Sequence, residues 1–174
     1  MKDPFPIAPI PALSELVRPF AEKFNLIVLP QHIHEVIFAA LMYTFVHLVI
    51  SPWLSMKYAP KQYPTHRGKR ASWDSHVVSL FQSTLISILA LWYMFADEER
   101  KTFDWQARIW GYTGASGMIQ SLVAGYFVWD FIITICFVDV FGMGVLVHAT
   151  SALLVYSFGY VSSGLAFALG STLC

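Results

Sequence analysis

At 174 residues the chain has the length of one soluble domain, yet 56% of it is apolar and only 13% is charged, against roughly 45–50% and about 25% in globular proteins. Eleven basic and eleven acidic residues cancel, but they gather in caps and loops. Val36–Met56, Ser75–Ala96, Ile109–Trp129 and Val140–Cys174 contain no Asp, Glu, Lys or Arg. Each run exceeds the roughly 18–20 residues that cross a bilayer core, and four such runs in so short a chain exclude a water-soluble fold.

Residues 1–35 read as an N-terminal arm. Prolines and the charged Glu15, Arg18, Glu22 and Lys23 interrupt it before any long apolar run, so it does not read as a signal peptide. Within it Leu13, Leu16, Val17, Phe20 and Phe24 recur at helical spacing. A short helix lying in the membrane interface fits that pattern, as does a loosely ordered arm, and Pro19 predicts a break. Span one follows over Val36–Ser55, with Pro52 and Trp53 near its exit. The next loop holds five of the eleven basic residues, from Lys57 to Arg70. The positive-inside rule assigns that loop to the cytoplasm and the arm to the opposite face. Span two is His76–Phe95. After a charged loop, Trp105, Trp110 and Tyr112 suit an aromatic belt. Span three is Gly117–Val138, and span four runs from Phe141 or Gly142 to at least Tyr160. Residues 161–174 form an uncharged apolar tail. Cys136 and Cys174 make neither a disulfide framework nor a metal motif.

The spans carry three signals. Gly117, Ser121 and Gly125 leave one helix face nearly bare, which permits close backbone approach, either beside a cavity or for packing alone. Ser79, Ser83 and Ser87, with His76 and Gln82 nearby, form a polar stripe expected to turn toward other helices for hydrogen bonding. The third signal is Asp130 and His148. If Asp139 marks the turn between spans three and four, both lie on the order of 13 Å deep at 1.5 Å per residue. An ionised carboxylate there costs about 2.5–3.5 kcal/mol, so Asp130 needs a proton, a wet cavity or a partner. His148 and the hydroxyl of Tyr126 are on offer. The pair can serve as a general acid and base, as an orienting pair, as half a metal site, or as a structural ion pair. His47 and His76 could extend a metal site, but no spacing motif joins them, and no metal or cofactor is assigned. His47 is expected to make a lone hydrogen bond inside the bundle.

WDSHVVSLFQSTLI at Trp73–Ile86, GYFVWD at Gly125–Asp130 and LVHATSALLVY at Leu146–Tyr156 resemble the TLC-domain family. Its members are multi-span proteins of the endoplasmic reticulum and include ceramide synthases and lipid-homeostasis proteins. The arm and DWQARIWGYTGASGMIQ are similar to its fungal branch. The resemblance covers roughly Pro6 to Gly159 and implies an all-α integral membrane bundle. For the ceramide synthases it implies acyl-CoA-dependent N-acylation of a sphingoid base with histidine as base. Here a single histidine, His148, stands where those enzymes carry a pair. Gln82 replaces a histidine common in the family, and His76 an arginine.

The reading is therefore a four-span TLC-like domain over residues 36–160, incomplete at its C-terminal end. It would act in membrane-lipid homeostasis by binding lipid between its helices or by regulating lipid composition. Asp130 and His148 would line the cavity, with Tyr126, Gln82 and Ser79 beside them. Acyl transfer to a sphingoid base is one alternative and a non-catalytic scaffold, built on the Gly117–Ser121–Gly125 face, is another. Expected partners are membrane lipids, a sphingolipid or acyl-CoA among them, and further copies of the chain, with no nucleic acid.

Overall fold

The computed structural model describes residues 3–105 and 107–161; the tail beyond Val161, Cys174 included, and the side chains of Ile109 and Trp110 lie outside the described set. Among the described residues all regular structure is helical. An arm of residues 3–10 leads into α1 (Pro11–Lys23), and the first span comprises α2 (Leu29–Phe45), a π-helical turn (Val46–Ile50) and α3 (Ser51–Tyr58). Then come α4 (Arg67–Ala96), the short α5 (Glu98–Lys101) and α6 (Ala107–Trp110), α7 (Gly114–Cys136), the one-turn α8 (Val138–Phe141) and α9 (Met143–Ser157) with a 3₁₀ turn to Tyr160. Four of these helical stretches, Leu29–Tyr58, Arg67–Ala96, Gly114–Cys136 and Met143–Tyr160, are long and apolar enough to cross a membrane.

The small-residue face of α7 packs on α2, and the two helices run parallel. A Cβ on Gly117 would stand 2.5 Å from His32 Nε2, and one on Gly125 would stand 2.5 Å from the Ala39 methyl. Further along, Trp129 meets His47 with ring centroids 5.5 Å apart. In lipid such closeness, rather than the burial of oil, is what holds helices together. α4 and α9 run antiparallel to this pair. Ser51 Oγ donates to Asp74 Oδ1 at 2.6 Å, Ser79 and Tyr126 hydroxyls lie 2.9 Å apart, and Tyr160 OH donates to Ser121 Oγ at 3.0 Å. Ala39, Tyr43, Val46, Val78, Leu122 and Trp129 form the core.

Four expectations need correction. Pro19 does not break α1, which runs unbroken through it. Pro19 is exposed, so the carbonyl it deprives of a partner, that of Glu15, can be solvated. The second span begins at Arg67, well ahead of His76. Arg67 and Arg70 remain compatible with a helix at the headgroups because their heads lie over rings, Arg67 5.6 Å from the centroid of Phe137 and Arg70 5.0 Å from that of Tyr63. The serine stripe turns inward only at Ser79; Ser83 and Ser87 are exposed, and Ser83 Oγ donates to its own helix at Leu80 O, 3.1 Å away. A hydroxyl that bonds the preceding turn needs no neighbouring helix. His47 is buried, but its Nδ1 has no partner among the described residues, and its ring packs on Trp129 instead of making the expected hydrogen bond.

The π turn explains where His47 and Ser51 point. Pro52 has no N–H and its ring displaces the carbonyl one turn earlier, so Ser51 N–H reaches back to Val46 O. The widened turn presents His47 to Trp129 and Ser51 to Asp74.

Candidate functional site: an apolar cleft between α1, α2, α7 and α9

A cleft of about 390 Å³ opens where α1 crosses the bundle. Phe20 and Phe24 of α1, Ile33 and Val36 of α2, Val128 of α7 and Leu154 of α9 are among its walls, and Tyr160 closes one end. Its size falls within the roughly 300–1,000 Å³ of small-molecule sites. Phe20, Phe24, Leu154 and Phe158, all lining it, are exposed, so the mouth is rimmed by large apolar side chains at the surface of the helices. Its polar side chains are Ser157, whose hydroxyl donates to Leu153 O at 2.7 Å, and Tyr160, which is bonded to Ser121. Among the described residues the lining is suited to an apolar group and leaves no polar side chain free to bind a ligand.

α1 supplies one wall of the cleft through Phe20 and Phe24. Ala21 is buried and its carbonyl accepts from Leu26 N–H at 2.8 Å, while Asn25 takes the left-handed conformation, φ 59°, that turns the chain back toward α2. Asn is among the few side chains that tolerate it. Leu16 continues the face that carries Phe20 and Phe24, and all three are exposed, an apolar stripe that suits an interfacial helix.

Asp130, His148, Tyr126, Gln82 and Ser79 do not line the cleft. The α7–α8–α9 hairpin turns at Gly142, φ 81°, and brings Asp130 and His148 within electrostatic range. No hydrogen bond or ion pair joins them, Asp130 is half-buried, and His148 is exposed. Tyr126 links the polar groups instead, bonding Ser79 while packing edge-on against Tyr43 at 5.5 Å. Gln82 is half-buried beside this lane. His76 is exposed and donates through Nδ1 to Ser72 O at 2.6 Å, so His47 and His76 do not converge.

Comparison with known proteins follows the same outline. The TLC-domain profile matches residues 72–174, well over half the chain. The chain belongs to the TLC-domain family. An uncharacterized TLC domain-containing protein of Schizosaccharomyces pombe is 40% identical over 158 residues, covering 89% of this chain and 51% of that protein. Topoisomerase I damage affected protein 4 of Saccharomyces cerevisiae is 28% identical over 139 residues, 78% of this chain and 47% of that protein. The chain thus spans about half the length of these curated relatives. No solved structure matches it.

Within this TLC-domain protein the matched region supplies α4, α7 and α9, but the cleft also needs α1 and the first half of α2, which precede it. Trp73, which opens the matched motif, donates from Nε1 to Ser55 Oγ at 2.9 Å and so ties α4 to the first span. The head of α2 carries a further polar cluster, absent from the sequence-based expectations. His32 Nδ1 donates to Glu35 Oε1 at 2.9 Å, His32 Nε2 accepts from Tyr112 OH, and His34 Nε2 donates to Ile7 O at 2.9 Å. Burial, then the charges of Asp3 and Glu35, push the Tyr112 phenol up to about 12. The His-Ile-His-Glu string at residues 32–35 was the available signal, since residues three apart share a helix face.

Proposed function

We propose that this TLC-domain protein acts in membrane-lipid homeostasis by holding the hydrocarbon chain of a membrane lipid in the cleft between α1, α2, α7 and α9. The carrying observation is the cleft itself, about 390 Å³ of almost wholly apolar lining with a mouth rimmed by exposed Phe20, Phe24, Leu154 and Phe158. The headgroup of such a lipid would stay at the interface beside α1, where Arg18 and Lys23 are exposed. The family resemblance supports an endoplasmic reticulum location and a sphingolipid as the class of ligand. Acyl transfer would have to run through Asp130 and His148, which share no hydrogen bond and stand outside the cleft, so binding is the stronger reading.

The test is mass spectrometry of lipids that co-purify with the protein in detergent. Ala124→Phe fills the buried inner wall, and Leu154→Trp fills the exposed mouth at less risk to folding. Both should lower the co-purified lipid at least about tenfold, a loss of roughly 1.4 kcal/mol in binding. Ile132→Phe, on an exposed face away from the cleft, should leave it unchanged. Wild-type lipid levels in a folded Leu154→Trp variant would refute the proposal.

A further inference from the structure

Asp3, His32 and Glu35 come together at the head of the first span. One ligand atom from each, two carboxylate oxygens and an imidazole nitrogen, lie within 4.8 Å of one another. His32 Nδ1 is 2.9 Å from Glu35 Oε1 and 3.4 Å from Asp3 Oδ2. Atoms that ligate one cation at about 2.0–2.2 Å stand about 3.0–3.5 Å from each other, so these spacings need little adjustment. Independently, Glu35 is 0% exposed and its Oε2 has no partner among the described residues. A buried carboxylate oxygen without a donor is expensive; a proton would relieve it, and so would a cation held between Asp3, His32 and Glu35. The other nitrogen of His32 is held by Tyr112 OH, the kind of outer partner that orients a ligating imidazole. Gly117 leaves the ring room, since a Cβ there would stand 2.5 Å from Nε2.

We propose that Asp3, His32 and Glu35 bind a divalent transition-metal ion, with Tyr112 as the positioning residue on His32. One nitrogen and two oxygens suit zinc, manganese or ferrous iron better than a purely oxygen-seeking cation. On binding, His32 changes tautomer: the proton leaves Nδ1, which takes the ion, and an equivalent proton returns from solvent to Nε2, whose N–H then donates to the Tyr112 oxygen, with no net proton released. The ion staples the N-terminal arm to α2, where His34 already holds Ile7 O and Phe5 packs on Phe38 with centroids 5.4 Å apart.

The experiment uses the full chain in detergent, purified through a tag that contains no histidine, stripped with chelator and titrated with Co²⁺ and then Zn²⁺. Wild type should take up one ion per chain, with visible Co²⁺ absorption that Zn²⁺ displaces, and Zn²⁺ should raise its thermal midpoint. Asp3→Asn, a half-buried position on the arm that leaves the spans untouched, should weaken uptake at least tenfold and abolish the rise. Tyr112→Phe should weaken uptake by about tenfold through the freed imidazole. His32→Gln should abolish it. Absence of stoichiometric uptake by wild type, or equal uptake by a folded Asp3→Asn variant, would overturn the site and leave a hydrogen-bonded network only.

Discussion

Gly125 lies so close to Ala39 that a Cβ added to it would stand 2.5 Å from the Ala39 methyl and 2.6 Å from Val36 O. Backbone cannot yield as a flexible side chain can. Gly125→Ala should therefore destabilise the protein by about 1–3 kcal/mol, the usual effect of overpacking, and Gly125→Leu should prevent α2 and α7 from closing. Gly144 has nothing within 4 Å of the equivalent position, so Gly144→Ala should be neutral or slightly stabilising. Thermal unfolding in one detergent compares them; equal shifts would show that the α2–α7 approach is not tight.

Asp74, 3% exposed, accepts from Ser51 Oγ at 2.6 Å and from Tyr63 OH at 3.0 Å. Asp74→Ala leaves both hydroxyls buried without an acceptor and should destabilise by about 1–3 kcal/mol. A double-mutant cycle of Asp74→Ala with Ser51→Ala should give a coupling of about 0.5–3 kcal/mol, as expected for direct partners. Additive effects would show that the bond contributes nothing.

Burial, helped by the Asp74 carboxylate, raises the Tyr63 phenol from 10.0 to about 12. A group whose folded-state pKa is raised stabilises the protein below its unfolded pKa and loses that contribution as pH rises through the folded one. The protein should thus lose stability between pH 10 and about 12. Tyr63→Phe should flatten the stability profile over that window, leaving a remainder from Tyr112. An unchanged slope would contradict the assignment.

The loop between α4 and α7 is held by caps. Asp97 Oδ1 accepts from the Glu99 and Arg100 N–H groups, and its Oδ2 accepts from Thr113 Oγ1 at 3.0 Å. Thr113 in turn forms a capping box with Ser116 at the start of α7. Asp97→Ala should cost about 0.5–2 kcal/mol and raise amide exchange over residues 97–113. Protection equal to wild type would refute the link.

His148 is exposed and outside the cleft, so His148→Ala should leave the co-purified lipid unchanged. If the lipid composition shifts in His148→Ala membranes while Leu154→Trp has no effect, the acyl-transfer alternative gains and the cleft loses.

The spans were legible because hydrocarbon excludes charge over whole runs, and the packing face of α7 was legible because Gly117, Ser121 and Gly125 recur every four residues. Span ends were not, since arginine stems let α4 extend into the interface with Arg67 and Arg70 capped by aromatic rings. The cleft was hidden because its walls are ordinary apolar residues; only the turn at Asn25, which folds α1 back, makes them a pocket. The cluster at the head of α2 was hidden for another reason. His32 and Glu35 are neighbours on one helix face, but Asp3 and Tyr112 come from distant parts of the chain, and no local spacing announces them. Conversely, Asp130 and His148 stand out in the sequence as ionisable groups in oil, and the hairpin brings them within electrostatic range without a hydrogen bond between them.

The most direct measurement is photocrosslinking with a membrane lipid carrying a diazirine in its acyl chain, followed by peptide mapping of the labelled protein. Labels concentrated on α1 and on the cleft faces of α7 and α9, at Phe24, Val128 and Leu154, and competed away by unlabelled lipid, are the predicted result. Labels spread equally along the exposed face of α4, at Leu80, Ile88 and Leu91, and insensitive to competitor would contradict lipid binding in the cleft.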